Sequence, residues 1–538
     1  MQTQQLQQNM KEKVKVFEDG GIRLLKKGQK GLVHAIFSRF GLVLVLLLLQ
    51  FGALFSLLRW FGQLLPHYLG GTALVTAAMV IYLLNIDMDN SVRITWLVVI
   101  AVLPVLGVPL FWYTKADIGH NALKKRLMDL ESQTRAQLPQ NEQTVELLQE
   151  QAPEAVPLAR YLRGKGGGFP VYADTVATYF NGGEAMFDEM LRQLETAKKY
   201  IFLEYFIVDE GLMWGRILEV LARKAAQGVD VRLIYDDFGS LLGLPSDFVV
   251  QMERAHIRCI PFNPVVPLVS LVMNHRDHRK IVVVDGNTAY TGGINLADEY
   301  INEEERFGYW KDAALRTEGA AVWNFTVMFL DHWNAFRPSE EDYAPFMPQA
   351  ESLSAQSDGV IQPYGDSPLD EEALAETVYL NIINQAQRYV YIYTPYFAVG
   401  ETMLEALKAA AKRGVDVRLV LPGIPDKKLV FRLSRSYYLP LLQAGVRIYE
   451  YTPGFLHAKC WVSDDRAAVV GSINMDYRSL FLHFECGVLL QHNSQVAALR
   501  DDVRATLPQC REIHISDCRT SIPGTLLDSV LRLLSPLM

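Results

Sequence analysis

The pattern His-x-Lys-x4-Asp-x6-Gly-x2-Asn occurs twice in this 538-residue chain, as His278, Lys280, Asp285, Gly292, Asn295 and again as His457, Lys459, Asp464, Gly471, Asn474. Duplication at this spacing constrains the fold more than any composition value, because two copies of one unit must bury equivalent sets of strands and helices. The surroundings repeat with the motif. Gly228 to Leu233 and Gly414 to Leu419 both read Gly-Val-Asp-Val-Arg-Leu, each after an Ala/Leu-rich helical stretch (Ile217 to Ala226, Met403 to Lys412). Each helical stretch follows an apolar strand, Tyr200 to Tyr205 and Tyr389 to Tyr393. Strand, helix and strand in this order is βαβ grammar. The expected fold is α/β: two tandem lobes, each a mixed sheet covered by helices, whose facing half-sites make one composite active site.

Such a pair suits displacement at a phosphodiester. One imidazole attacks phosphorus while the other, protonated, donates to the leaving alkoxide; histidine serves both roles because its ordinary pKa of about 6.5 lies near working pH. Lys280 and Lys459 bring compact positive charges for the non-bridging oxygens. His278 to Asp285 alternates and is rich in β-branched residues, so it reads as a strand that sends His278 and Lys280 to one face. Gly292-Gly293 and Gly471-Ser472 are expected to let backbone approach a bound phosphate, with Gly293, Ser472, Asn295 and Asn474 as its contacts. The catalytic set is then His278, Lys280, Asp285, His457, Lys459 and Asp464, the two aspartates bracing loops at the far ends of their strands. The chemistry requires no metal and no cofactor. His275 breaks the spacing to Lys280 and reads as a neighbouring contact.

The doubled motif resembles the HKD signature of the phospholipase D superfamily, over roughly Tyr172 to the C-terminus. More narrowly, the chain resembles bacterial cardiolipin synthases, through Asn274 to Lys280, Thr291 to Asn295, Gly365 to Pro368, Thr394 to Phe397, Leu456 to Lys459 and the terminal Leu533 to Leu537. That resemblance implies tandem phospholipase D-like lobes and ping-pong phosphatidyl transfer. His278 attacks one phosphatidylglycerol to form a phosphatidyl-histidine while His457 protonates the departing glycerol; His457 then deprotonates a second phosphatidylglycerol, which displaces His278 and yields cardiolipin. Water as acceptor would make the same site a membrane-anchored phospholipase D, and another alcohol a different phosphatidyltransferase. The resemblance also implies an acidic partner for each histidine's second nitrogen. Asp312, downstream of His278, and Glu485, downstream of His457, are the expected histidine-orienting carboxylates.

Half of the residues are hydrophobic, and the apolar content is concentrated near the N-terminus. Gly41 to Leu58, Leu69 to Ile86 and Ile94 to Tyr113 are three apolar runs of about 18–20 residues, near the length a bilayer core demands. Basic residues from Lys11 to Arg39 precede the first, and Lys115, Lys124, Lys125 and Arg126 follow the third. Positive charge at both ends favours a multi-pass plasma-membrane protein with its lobes on the cytoplasmic face, one run lying in the interface or re-entering. The expected organisation is a basic segment 1–40, membrane region 41–114, helical stalk 115–170, first lobe 171–336, interlobe linker 337–370 and second lobe 371–538. Leu526 to Met538, apolar at helical spacing, packs on the core or dips into headgroups.

A formal net charge of −8 argues against nucleic acid as a partner, whereas Arg276, Arg279, Lys280 and Lys459 supply a local basic patch for anionic membrane lipid. The five cysteines show no CxxC or zinc spacing and read as reduced thiols, with no catalytic role for Cys460.

Overall fold

The computed structural model describes residues 14–16, 22–24, 52, 56, 69–115, 121–134, 138–164, 167–265, 275–337, 342–348, 359–370 and 372–537. The chain divides into two compact units, one of Met1–Lys27, Leu123–Pro264 and Arg276–Arg519, the other of Gly28–Ala122, Val265–His275 and Thr520–Met538.

In the larger unit, the first half of the chain forms a seven-stranded mixed sheet in the order Thr175–Phe180, Ala314–Gly319, Thr288–Gly292, Lys280–Val284, Tyr200–Tyr205, Asp230–Asp236, Arg258–Phe262. The second half repeats that order with Val360–Asp366, His483–Gln491, Ala467–Gly471, Cys460–Ser463, Tyr389–Tyr393, Asp416–Pro422 and Arg447–Tyr451, and adds Cys510–Ile513 at the far edge. In each half the apolar strand pairs parallel with its Gly-Val-Asp-Val-Arg-Leu neighbour and antiparallel with the motif strand. Every residue of Tyr200–Tyr205, Lys280–Val284 and Tyr389–Tyr393 is buried, as expected of strands covered on both faces. The two signature aspartates sit in the turns that end the motif strands, with φ of 51° and 55°. Asp285 accepts the amides of Lys198, Lys199 and Tyr200 at 2.7, 2.7 and 2.8 Å, and Asp464 those of Gln387, Arg388 and Tyr389 at 2.7, 2.9 and 2.8 Å. Each therefore ties its hairpin to the entry of the neighbouring strand.

Three expected boundaries differ. Residues 360–366, read as linker, form the edge strand of the second sheet, with one isolated bridge on its outer side from Ile361 to Tyr172; Pro363 is tolerated because an edge strand has no continuous ladder on that side. The helices Asn121–Thr134, Glu142–Gln151 and Val156–Arg163 are not a free stalk. Leu148, Ala152, Ala155, Val156 and Ala159 pack with Val171 and Val360, and Leu127 joins the main core. The C-terminal helix Ile522–Leu534 belongs to the smaller unit, where Thr95 Oγ1 donates to the Leu533 carbonyl at 2.6 Å, not to the second lobe.

In that unit the second apolar run is one helix of 17 residues, Leu69–Asn85. The third is not a single span: it breaks into Asn90–Val102 and Pro104–Lys115 at Leu103, which precedes a proline and so leaves the helical region. Gly107 lets the two pieces fold close, since a Cβ there would meet the Ile100 Cα at 3.0 Å. Met79, Leu83, Trp96, Ile100 and Phe111 form the shared core. Among the described residues no helix is long and apolar enough to cross a membrane. The first run, 41–58, lies outside the described residues apart from positions 52 and 56.

Candidate active site

Two short parallel bridges stitch the halves together and build the site. Arg276–Asp277, just before His278, pairs with His483–Phe484 of the second half, and Tyr309–Lys311 of the first half pairs with Gly454–Leu456, just before His457. The His278 amide donates to the Phe484 carbonyl at 2.9 Å, and the His457 amide to the Lys311 carbonyl at 2.7 Å. The residue after each acceptor is a carboxylate, so the carboxylates that meet the two histidines are crossed. His278 Nδ1 lies 2.8 and 3.0 Å from the Glu485 carboxylate oxygens, and His457 Nδ1 lies 2.7 Å from Asp312 Oδ2. Chain order places Asp312 behind His278 and Glu485 behind His457; the bridges exchange them. The strand read from His278 onward begins only at Lys280, because the two preceding residues are engaged with the other half. Lys280 and Lys459 turn back so that each ammonium donates to the carbonyl of its own motif histidine.

The four residues expected to touch phosphate have other partners. A Cβ on Gly293 would fall 2.1 Å from Asp312 Oδ1, so its missing side chain makes room for that carboxylate. Ser472, at the equivalent place, donates through Oγ to Glu485. Asn295 spends both ends of its amide on protein, accepting from the Ile207 amide at 3.1 Å and donating to the Tyr300 hydroxyl at 2.7 Å. Asn474 donates to Ser479 Oγ at 3.0 Å. Replacing Gly293 by alanine is expected to drive Asp312 off His457 and lower turnover about a hundredfold, the usual cost of about 1 Å of misplacement in a catalytic group. Initial-rate measurements beside the thermal midpoint separate this from unfolding.

Burial governs the charges. The His278 imidazole is held well below its ordinary value by burial and then by Lys280 and the neighbouring His483, Lys459 and His457. Burial, then Lys459, bring His457 down to about 4, against the opposing pull of Asp312. Burial lowers Lys280 to about 8 and Lys459 to about 7. Burial raises Asp312, but His457, Lys459 and the Ala313 amide outweigh it and keep the carboxyl below its usual range. Glu485 goes the other way, pushed well up by burial despite Lys280 and Ser472. Burial thus favours the neutral form of both imidazoles, and a phosphodiester anion bound beside them would raise them and both lysines.

The two half-sites also differ in their walls. Tyr300, Trp310 and Phe455 rings stand 5.3, 5.4 and 5.8 Å from His457, whereas His278 has Phe206 at 5.0 Å and His483 at 5.6 Å. Beneath His278 lies a fully buried network that, among the described residues, has no counterpart under His457. Arg279 donates through Nε to the Glu485 carbonyl at 3.2 Å and reaches His332 Nε2 at 3.2 Å, and His332 Nδ1 lies 2.8 Å from Glu204 and 4.0 Å from Asp277. The second half has Tyr393, Leu456 and Ala458 at the positions of Glu204, Asp277 and Arg279. Donor atoms of Glu204, Asp277 and His332 lie within 4.8 Å of one another, as do those of His278, His483 and Glu485. In the former cluster the Arg279 guanidinium, 3.9 Å from Glu204, already supplies positive charge. The motif does not reveal Glu204 or His332, which come from distant elements; the charged Asp277-His-Arg279 string, against Leu456-His-Ala458, is the one sequence signal of the asymmetry.

The family described as cardiolipin synthase, PLD-like domain, matches residues 190–311 and 379–506, which carry the two copies of the motif. Cardiolipin synthase 2 of Bacillus anthracis is 34% identical across 83% of this chain and 87% of its own, and the cardiolipin synthase of Geobacillus sp. (strain WCH70) is 35% identical across 89% and 95%. The chain belongs to the cardiolipin synthase family of the phospholipase D superfamily. It is a phosphatidyltransferase of that family. A Streptococcus mutans protein is 45% identical across 85% of this chain and 99% of its own. The solved phosphatidylserine synthase of Haemophilus influenzae, at 15% identity and a TM-score of 0.50, covers 67% of this chain and 95% of its own and shares the fold.

Proposed function

We propose that this phosphatidyltransferase joins two phosphatidylglycerol molecules into cardiolipin and glycerol through a phosphatidyl-histidine on His278. The observation that carries the reading is the pair of crossed dyads, His278–Glu485 and His457–Asp312, each with a motif lysine beside it. Two imidazoles with Nδ1 held by carboxylates both present Nε2 for chemistry, one as nucleophile and one as acid. Their environments support unequal roles. His278, held well below its ordinary value beside a carboxyl that burial pushes up, suits the nucleophile. His457, paired with a carboxyl kept ionised, suits the group that must gain and lose a proton. Lys280 and Lys459 hold the non-bridging oxygens as charge shifts during transfer. Asp285 and Asp464 fix the hairpins that carry these groups.

Lipid as acceptor agrees with the aromatic wall around His457, which keeps water from the second half-reaction. Membrane attachment falls to the N-terminal apolar residues, with the lobes at the cytoplasmic face of the plasma membrane. The test is product analysis with the full chain in phosphatidylglycerol vesicles. Cardiolipin and glycerol in equal amounts are expected; accumulation of phosphatidic acid would instead identify a phospholipase D.

A further inference from the structure

Two exposed apolar groups flank the site at the C-terminal ends of equivalent parallel strands. After Asp230–Asp236 come Phe238, 51% exposed, and Leu242, 74% exposed; after Asp416–Pro422 come Ile424 at 40% and Leu429 at 52%. The ring of Phe238 lies 5.6 Å from the guanidinium of Arg276, the residue that opens the bridge to His278. The Ile424 amide bonds to the Gly454 carbonyl at 3.3 Å, at the start of the bridge to His457. Leu429 sits on the helix Lys428–Ser436, whose Ser434 Oγ holds the Phe397 amide at 3.0 Å; the adjoining Tyr396 ring is 6.3 Å from Phe455, itself beside His457. Both groups therefore lie close to the segments that lead into the two histidines.

The helix is also basic. Lys428, Arg432 and Arg435 lie on it and Lys427 caps it, with no acidic residue inside. Asp426 and Glu450 answer Lys427 at 3.6 Å and Arg435 at 3.5 Å, and the segment from Asp426 to Ser436 carries four basic residues against one acidic one, on a chain whose formal charge is −8. Exposed apolar side chains among cations are the pattern of a surface that lies in the headgroup layer of an anionic bilayer. Two copies of this chain would bring like charges together on the same face, which disfavours self-association there.

We propose that the helix Lys428–Ser436 with Ile424, together with the loop bearing Phe238 and Leu242, docks the catalytic mouth directly onto an anionic lipid bilayer. The lobes then reach substrate through this contact and not only through the N-terminal residues. The inference rests on the phosphatidylglycerol reading above and names the surface on which that substrate is met.

The test uses the full chain and two forms of one substrate: phosphatidylglycerol in mixed vesicles, and short-chain phosphatidylglycerol below its aggregation limit. A variant combining Lys428→Glu, Leu429→Asp and Leu242→Asp is expected to lose at least about tenfold of its turnover on vesicles and to stay within about twofold of wild type on the monomeric lipid. The milder Lys427→Gln, Lys428→Gln pair is expected to weaken vesicle turnover less and to flatten its dependence on anionic lipid content, and it keeps the test open if the first variant folds poorly. Equal losses on both forms, or retention on both, would overturn the docking surface. So would a changed oligomeric state by light scattering with vesicle turnover intact, which would make the face a contact between copies. A wild-type chain that turns over neither form would sink the reading of the site itself, and the docking surface with it.

Discussion

His278→Ala is expected to remove phosphatidyl transfer, by at least about 10⁴-fold, because on the proposed mechanism the variant lacks the nucleophile and the remaining groups only bind and polarise the phosphodiester. The buried imidazole makes its contacts through Nδ1 to Glu485, so its truncation leaves the strand Lys280–Val284 and the bridge to Phe484 in place. Head-alcohol release and cardiolipin formation should disappear together. A ³²P-labelled lipid should leave an acid-quenched adduct on wild type and none on His278→Ala. On the same mechanism His457→Ala would retain the nucleophile but lack the acid for the first transfer and the base for the second, so any adduct it forms slowly should persist. An adduct that survives His278→Ala and vanishes in His457→Ala would reverse the two roles.

Asp312→Asn is expected to lower kcat by about 10³-fold while leaving substrate binding nearly unchanged. The carboxylate accepts from His457 Nδ1 at 2.7 Å, which keeps the proton there in the neutral ring and turns Nε2 to the substrate. An amide in its place can offer an N–H to Nδ1 and so favour the wrong tautomer. The pH profile gives a second readout with a definite sign. The acid step needs protonated His457, which is present below its pKa and lost as pH rises through it. Burial and Lys459 bring this group to about 4, and the negative charge of Asp312 opposes them; a bound phosphodiester anion raises it. Removing the Asp312 charge therefore moves the alkaline limb of the kcat profile to lower pH. An unshifted limb with a reduced kcat would mean that Asp312 positions the ring without setting its charge. Glu485→Gln should not move that limb in the same way, because Glu485 contacts His278.

The smaller unit shows where pattern reading reached its limit. Hydropathy located the apolar stretches, but the helix break at Leu103–Pro104 and the close approach at Gly107 depend on local backbone geometry that a window average smooths over. The Ile522–Leu534 helix reads as amphipathic from its spacing, yet spacing does not say which surface it covers; the Thr95–Leu533 contact does. Residues 360–366 were hidden by Pro363 and Gly365, which are unfavourable inside a sheet and acceptable at its edge.

The chain by itself determined the duplication, the order of strands and helices, and the two histidines and two lysines, because each is written in local spacing and side-chain chemistry; the pair of carboxylates came from the family resemblance. The tertiary structure decided who serves whom. Asp312 and Glu485 exchange partners because two short parallel bridges carry the strands of one half into the site of the other, and pairing between segments far apart in sequence leaves no periodic trace in either. For the same reason Gly293 and Ser472, read as phosphate contacts from their place in the motif, serve the carboxylates. The buried Glu204–His332–Arg279 network that distinguishes two otherwise matching half-sites also forms only when a strand, a helix and a motif segment meet in the folded core.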